Sequence, residues 1–332
     1  MGIGLTAGRQ CLAALAIALG LLPNAFGQRA DMYPVKPITM IVPYTAGGST
    51  DATARLFAKQ IGDRLGQPVV VDYKPGANTM IGGNAVAKSA ADGYTIMMGA
   101  GLTVVINPLL YPKIPYDAEK DLDTLAVIAQ VPLIAQVPPG SPAKDLDTFV
   151  TLAKASPGKL NYGSVGLGGT THLATELLKL RTGIDITNVP YKGSANAQTD
   201  FLGGQLDLLL DAPVTVLPQV AARRARAIAV TSAKRLPALP DVPTLNEKYP
   251  GLVAVGWFCL LAPAGMPREV RTSLKRAVDA AMQTPEVKAS LEQFALLPMP
   301  PQTDAEIAGF LRDERERWAP LIRNLGLRLD MN

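Results

Sequence analysis

From residue 33 onward, short runs of β-branched and apolar residues alternate with longer stretches whose apolar positions recur every three or four residues. This alternation predicts strands at 38–42, 69–71, 95–98, 160–164, 186–189, 206–210 and 227–230. Between the first two strands, residues 51–65 read as a helix with Ala54, Ala58, Ile61 and Leu65 on one face. Strand, helix and strand in repetition is the pattern of parallel βα units, so the expected class is α/β. Two further apolar stretches, 125–137 and 253–262, are flanked by proline-rich turns and read as crossings between two domains. Two crossings make the first domain discontinuous. The chain from 267 onward reads as helical, with charged faces such as 312–317, and is expected to pack back onto that domain. No repeat of solenoid period is present.

The N-terminus has a different pattern. Residues 1–27 carry one charge, Arg9, then an uncharged apolar run at 11–22, then Ala25-Phe26-Gly27. Charge, apolar run and small-residue site in that order predict a cleaved secretory signal peptide. The run of 12 residues is short of the roughly 20 that a helix needs to span a bilayer. A lipid anchor on Cys11 is disfavoured, because the apolar run follows that cysteine instead of preceding it. Export to the periplasm is therefore expected. The mature chain keeps Cys259 alone, which excludes an internal disulfide framework.

About 300 mature residues exceed what a single core usually serves. The expected division is a first domain of 28–130 with 255–332, and a second of 131–254. The net charge is +4, or +3 once Arg9 is removed, and no block of five like charges occurs. The densest basic spot, Arg223, Arg224 and Arg226, reads as a solvated helix end, so nucleic acid is not an expected partner.

One internal echo carries the chemistry. The strand at 38–42 runs into Tyr44-Thr45-Ala46-Gly47-Gly48-Ser49-Thr50-Asp51 and a helix, and the strand at 160–164 runs into Gly166-Leu167-Gly168-Gly169-Thr170-Thr171-His172 and a helix. A glycine-rich turn at a helix start exposes N–H groups that the helix cannot satisfy, and the helix dipole adds positive character. Such a turn suits an anion. Ser49, Thr50, Ser164, Thr170 and Thr171 add hydroxyl donors, and glycine lets a ligand approach the backbone. Either turn alone is equally an ordinary capped βα turn. As a pair facing across a cleft they fit a small carboxylate, and a dicarboxylate, a tricarboxylate, an amino acid and an aromatic acid all stay open as the expected ligand.

Other chemistries are poorly supported. Neither turn contains the phosphate-loop pattern or the complete dinucleotide fingerprint. His172 is the sole histidine, so a multi-histidine zinc site is excluded, and no serine sits in G-x-S-x-G. No metal or cofactor is expected. A hydrolase built on His172 is the rival reading, and His172 as a cap within its own helix is the bland one.

These residues resemble the solute receptors of tripartite tricarboxylate transporters, the Bug (Bordetella uptake gene) proteins, over the whole chain from about residue 33. The resemblance rests on Tyr33-Pro34 with Lys36-Pro37-Ile38, on 43–55, on Asn161-Tyr162-Gly163-Ser164 through His172-Leu173, and on Val189-Pro190-Tyr191-Lys192-Gly193. Gly204-Gln205-Leu206-Asp207, Leu239-Pro240-Asp241-Val242-Pro243-Thr244, Trp257 and Ala262-Pro263-Ala264-Gly265 complete it. The resemblance implies a two-domain periplasmic-binding-protein fold, type II-like, with two crossover strands and hinged closure. It implies a receptor that delivers its ligand to membrane permease subunits; a non-catalytic monomer is expected, and a second rival is a sensor subunit that binds the same acid but signals to a membrane kinase.

By that resemblance, Thr45 to Asp51 hold one end of the ligand and Ser164 to His172 grip a carboxylate at the other. The sequence departs from the family at Gly169, where a hydroxyl residue is common, at Asn196, where proline is common, and at 75–79, which is usually richer in glycine. Asn78 in that last loop counts among the binding candidates. Asp211 either points into the cleft or caps the helix starting near Pro213, and Tyr191 and Lys192 either contact ligand or shape the wall.

Overall fold

A computed structural model describes residues 33–329 of the chain. The expected signal peptide, 1–27, lies outside the described residues. The strand and helix pattern folds into two sheets. In chain order the first half forms β1 (Ile38–Val42), α1 (Ser49–Leu65), β2 (Val69–Tyr73), α2 (Met80–Ala87), β3 (Thr95–Ala100) and β4 (Leu122–Val131). The chain then enters the second sheet with β5 (Ile134–Val137), α3 (Leu146–Ala155), β6 (Asn161–Val165), α4 (Thr170–Thr182) and β7 (Thr187–Tyr191). α5 (Ser194–Leu202), β8 (Leu208–Asp211), α6 (Pro213–Ala221) and β9 (Arg226–Val230) complete that sheet. The return is made by β10 (Gly256–Pro263), α7 (Arg268–Gln283), α8 (Pro285–Gln293), β11 (Leu297–Pro298) and α9 (Asp304–Asn324).

The six-stranded sheet has the order β11-β4-β10-β3-β1-β2 and the five-stranded sheet the order β7-β6-β8-β5-β9. β1 is parallel to β2 and β3, and β6 is parallel to β7 and β8, as the βα pattern requires. The sheets are nevertheless mixed. β10 runs antiparallel between β3 and β4, and β5 runs antiparallel between β8 and β9. Both expected crossings are thus sheet strands as well as connections. Each arrives in its sheet from the other one, so its direction is set by the passage and not by a right-handed βα unit.

α1 shows how sequence becomes packing. Ala54, Phe57, Ala58 and Ile61 are buried, and Leu65 is only half-buried. Full burial of a side chain such as Phe57 contributes roughly 1.5–3 kcal/mol. Gly66 ends the helix at φ 69°, a left-handed cap that favours glycine, with its N–H bonded to the Gly62 carbonyl. In the C-terminal return, Val270, Leu274, Ala277, Val278 and Ala281 give α7 its buried stripe. Arg271 then ties α7 to β4 through Asp123 and to α9 through Asp304, at 2.6 and 3.0 Å.

The two passages are joined where they cross. The Leu133 N–H donates to Thr231 Oγ1 at 2.9 Å, the Thr231 N–H donates to the Leu133 carbonyl at 2.9 Å, and the Ala254 N–H donates to the Thr231 carbonyl at 3.0 Å. Thr231 is fully buried. No helix among the described residues is long and apolar enough to cross a membrane.

Candidate ligand-binding site

The C-terminal ends of the parallel strands in both sheets open onto one cavity. It leaves about 80 Å³ for the centres of water-sized molecules, several times the room one water needs. From the six-stranded sheet, Ser49 and Thr50 present the start of α1. From the five-stranded sheet, Gly169, Thr170 and Thr171 present the start of α4, Ser194 the start of α5, and Asp211 with Ala212 the start of α6. Four helix N-termini therefore converge on one space, each adding positive character. Tyr44, Thr45 and Gly48 complete the polar part. Leu102, Val131, Leu133, Trp257 and Phe258 form the apolar wall of the same cavity. No lysine, arginine or histidine lines the cavity among the described residues.

The local chain conformation explains these placements. Gly48 sits in extended conformation before α1, and Gly169 does the same before α4. Gly169 tolerates no Cβ, which would lie 2.5 Å from the Val165 carbonyl oxygen. A larger residue thus has no room at this position, and Thr170 supplies the hydroxyl at the cavity edge. Trp257 lies against Gly101, where a Cβ would come within 2.7 Å of the indole.

Tyr44 keeps part of its surface open to the cavity, yet burial holds its phenol well above the usual range. It stays a neutral hydrogen-bonding group at any physiological pH. Asp211 is buried at 2% exposure and accepts from Ser194 Oγ at 2.7 Å, the Ala212 N–H at 2.8 Å and Thr215 Oγ1 at 2.9 Å. Burial raises its carboxyl above the ordinary range, and those three donors oppose the rise without cancelling it. The structure thus joins the two readings of Asp211. It lines the cavity, and it braces the starts of α5 and α6.

Several other candidates lie outside the cavity. Asp51 is buried behind the first turn, where its carboxylate accepts the Gly47 N–H at 2.8 Å and the Tyr73 hydroxyl at 2.7 Å and pairs with Arg55 at 2.8 Å. Burial disfavours its charge, but the Gly47 N–H, Tyr73 and Arg55 together outweigh burial and hold the carboxyl below the ordinary range. Gly47 is exposed at φ 90°. His172 is buried beneath the second turn with Nδ1 accepting the Gly168 N–H at 2.9 Å, an arrangement that needs a neutral ring. Burial also lowers its pKa, with Lys179 acting in the same direction and Glu176 opposing. His172 is thus a cap within its own loop and helix, and the hydrolase reading loses His172 as its base at the cavity.

Ser164 is fully buried with an unpaired hydroxyl. Gly166 and Gly168 face Asn78 and Leu110 of the opposite half, and Asn78 meets that half directly. Tyr191 packs against the Phe201 and Leu206 cluster and bonds Asp200 at 2.8 Å away from the cavity, and Lys192 is exposed. Ser194 and the apolar wall were not among the candidates. Ser194 had a readable signal, since Gly193-Ser194 follows β7 and opens α5 as a third strand-to-helix turn. The wall had none, because its residues read as ordinary core.

Asp51→Asn tests the bracing role. The folded carboxyl lies below its unfolded value, so its contribution is present above the ordinary range near pH 4 and is lost as pH falls through the folded value. The variant is expected to melt about 2 °C or more below the parent at pH 7, with the gap closing below about pH 4. A gap that is constant from pH 7 to pH 3 is the contrary result.

A sequence model described as the tripartite tricarboxylate transporter family receptor matches residues 53–327. The chain belongs to this family. Among the receptor's relatives, Protein BugT of Bordetella pertussis is 39% identical over 322 residues, 96% of this chain and 98% of BugT. R. palustris Rpa4515, solved with adipate, is 35% identical with a TM-score of 0.86, covering 90% of this chain and 100% of that one. MatC from Rhodopseudomonas palustris, solved with bound malate, is 29% identical with a TM-score of 0.82, covering 87% and 100%. The receptor thus has the two-domain α/β fold of periplasmic binding proteins. Members of the family bind solutes and are not enzymes. Among the described residues, no group of three or more potential ligands is placed to hold a metal ion.

Proposed function

We propose that this receptor, exported to the periplasm, captures a small dicarboxylate in the cavity between its two sheets and delivers it to the permease subunits of a tripartite transporter. The observation that carries this reading is the convergence of four helix starts, with their hydroxyls, on a cavity that no cationic side chain lines among the described residues. A carboxylate at each polar end is met by backbone N–H and hydroxyl donors, and the spacer between them lies along Leu102, Leu133 and Trp257. The acids in Rpa4515 and MatC, adipate and malate, are both compact diacids. The moving bodies are the half built on the six-stranded sheet and the half built on the five-stranded sheet, and they close about the two passages.

The test is a thermal-shift screen of the mature chain against small carboxylic acids, beginning with adipate and malate. A ligand that binds only the folded state stabilises it by about 2.7 kcal/mol at a hundred times its Kd, so a saturable rise in melting temperature is expected with one acid class. No rise with any acid, together with no acid released on denaturation by mass spectrometry, rejects the reading.

A further inference from the structure

Three consecutive residues that carry a Cβ lie in the left-handed region: Ala77 at φ 43°, Asn78 at φ 52° and Thr79 at φ 70°. That conformation is costly for L side chains, with asparagine among the more tolerant. Strain of this kind persists only where surrounding contacts over-determine it. Here the contacts are specific. Within its own half the turn is held by Asn107 Nδ2, which donates to the Asn78 carbonyl at 2.7 Å, and by Thr103 Oγ1, 3.0 Å from Thr79 Oγ1. The Asn78 side chain then reaches out of that half. Its Nδ2 donates to the Tyr111 hydroxyl at 2.7 Å and to the Leu167 carbonyl oxygen on the facing half.

Leu167 belongs to the turn that opens α4 at the cavity. Gly166 beside it is matched to Asn78, since a Cβ there would lie 2.9 Å from Asn78 Oδ1. Asn78 itself does not line the cavity. Its cross-cleft bond is protein to protein and exists only when the two halves meet.

We propose that Asn78 is a latch on the closed cleft, a positioning residue that sets how long the receptor stays shut without touching the ligand. The strained turn 77–79 holds the amide in place, and the bond to Leu167 rewards closure alone. Apparent affinity scales with the closed fraction, so the latch acts on release and not on ligand chemistry. The proposal rests on the binding function above only for its kinetic readout.

Asn78→Gly keeps the left-handed turn, relieves its strain and removes the amide, so a latch and a merely structural residue give opposite signs. In the dialysed mature chain the variant is expected to melt at or above the parent temperature and to show a larger radius of gyration by small-angle X-ray scattering without added acid. Adipate or malate is expected to dissociate at least threefold faster, with little change in association. An unchanged radius of gyration, or a lower melting temperature with an unchanged dissociation rate, overturns the latch. If neither acid stabilises the parent chain, the proposed ligand class fails, and the scattering comparison still decides the latch.

Discussion

Gly168→Val is expected to weaken, by at least tenfold, the binding of whichever carboxylate stabilises the mature receptor, a loss of about 1.4 kcal/mol or more. The sequence suggests that glycine is needed there so that a ligand can approach the backbone, but the structure gives a different reason. Gly168 lies at φ 74° and faces Leu110 of the opposite half, with a Cβ placed 1.8 Å from Leu110 Cδ1. Leu110 is 1% exposed within the main core and has little room to yield. An added side chain therefore either props the halves apart or pushes the turn out of register, and overpacking of this sort costs roughly 1–3 kcal/mol. The loss falls on closure, so calorimetric affinity should drop more than stability does. Gly168→Ala should show a smaller loss, and adding Leu110→Ala to it should recover part of the affinity, a coupling that a double-mutant cycle reads directly. Unchanged affinity in Gly168→Val would remove Gly168 from the closure contact.

Glu314→Ala is expected to cause the largest loss of stability, about 2–5 kcal/mol, lowering the melting temperature by roughly 5–15 °C. Glu314 is buried at 8% exposure on α9, and its Oε2 accepts the indole N–H of Trp257 at 2.8 Å and of Trp318 at 3.0 Å. These are the only two tryptophans in the chain. Removing the carboxylate leaves two buried donors without an acceptor, and each such orphan costs about 1–3 kcal/mol. Glu314→Gln retains one acceptor oxygen and should lose clearly less. Since Trp257 also forms the cavity wall, the alanine variant should change the tryptophan emission and its response to ligand as well as the melting curve. A melting temperature within 2 °C of the parent would contradict this account.

Much of this architecture is legible in the chain itself. Hydrophobic periodicity marks the βα units, and the glycine-hydroxyl turns mark where two helices begin, which places Ser49, Thr50 and Thr170 at the cavity. Sequence pattern is silent where a position depends on a partner far along the chain. Nothing local in 134–137 or 256–263 says that these segments run antiparallel inside their sheets. Val131, Leu133 and Phe258 read as core because a cavity wall and a core side are equally apolar. Asp51 and His172 have the residue types of a binding site, yet their i−4 partners Gly47 and Gly168 draw both side chains back under their own turns. Chemistry-bearing residues at a helix start serve either the ligand or the loop, and direction alone separates the two.

Thr231 gives the receptor a mechanical property. Two separate connections between bodies ordinarily act as two pivots, and two pivots permit sliding and torsion as well as bending. Because Thr231 bonds to Leu133 on one connection and to Ala254 on the other, the pair is pinned at a single buried point. The halves then behave like the covers of a book on one spine. For the hinged closure proposed above, such a spine would favour one swinging coordinate and would return the four helix starts to the same mutual register at each closing.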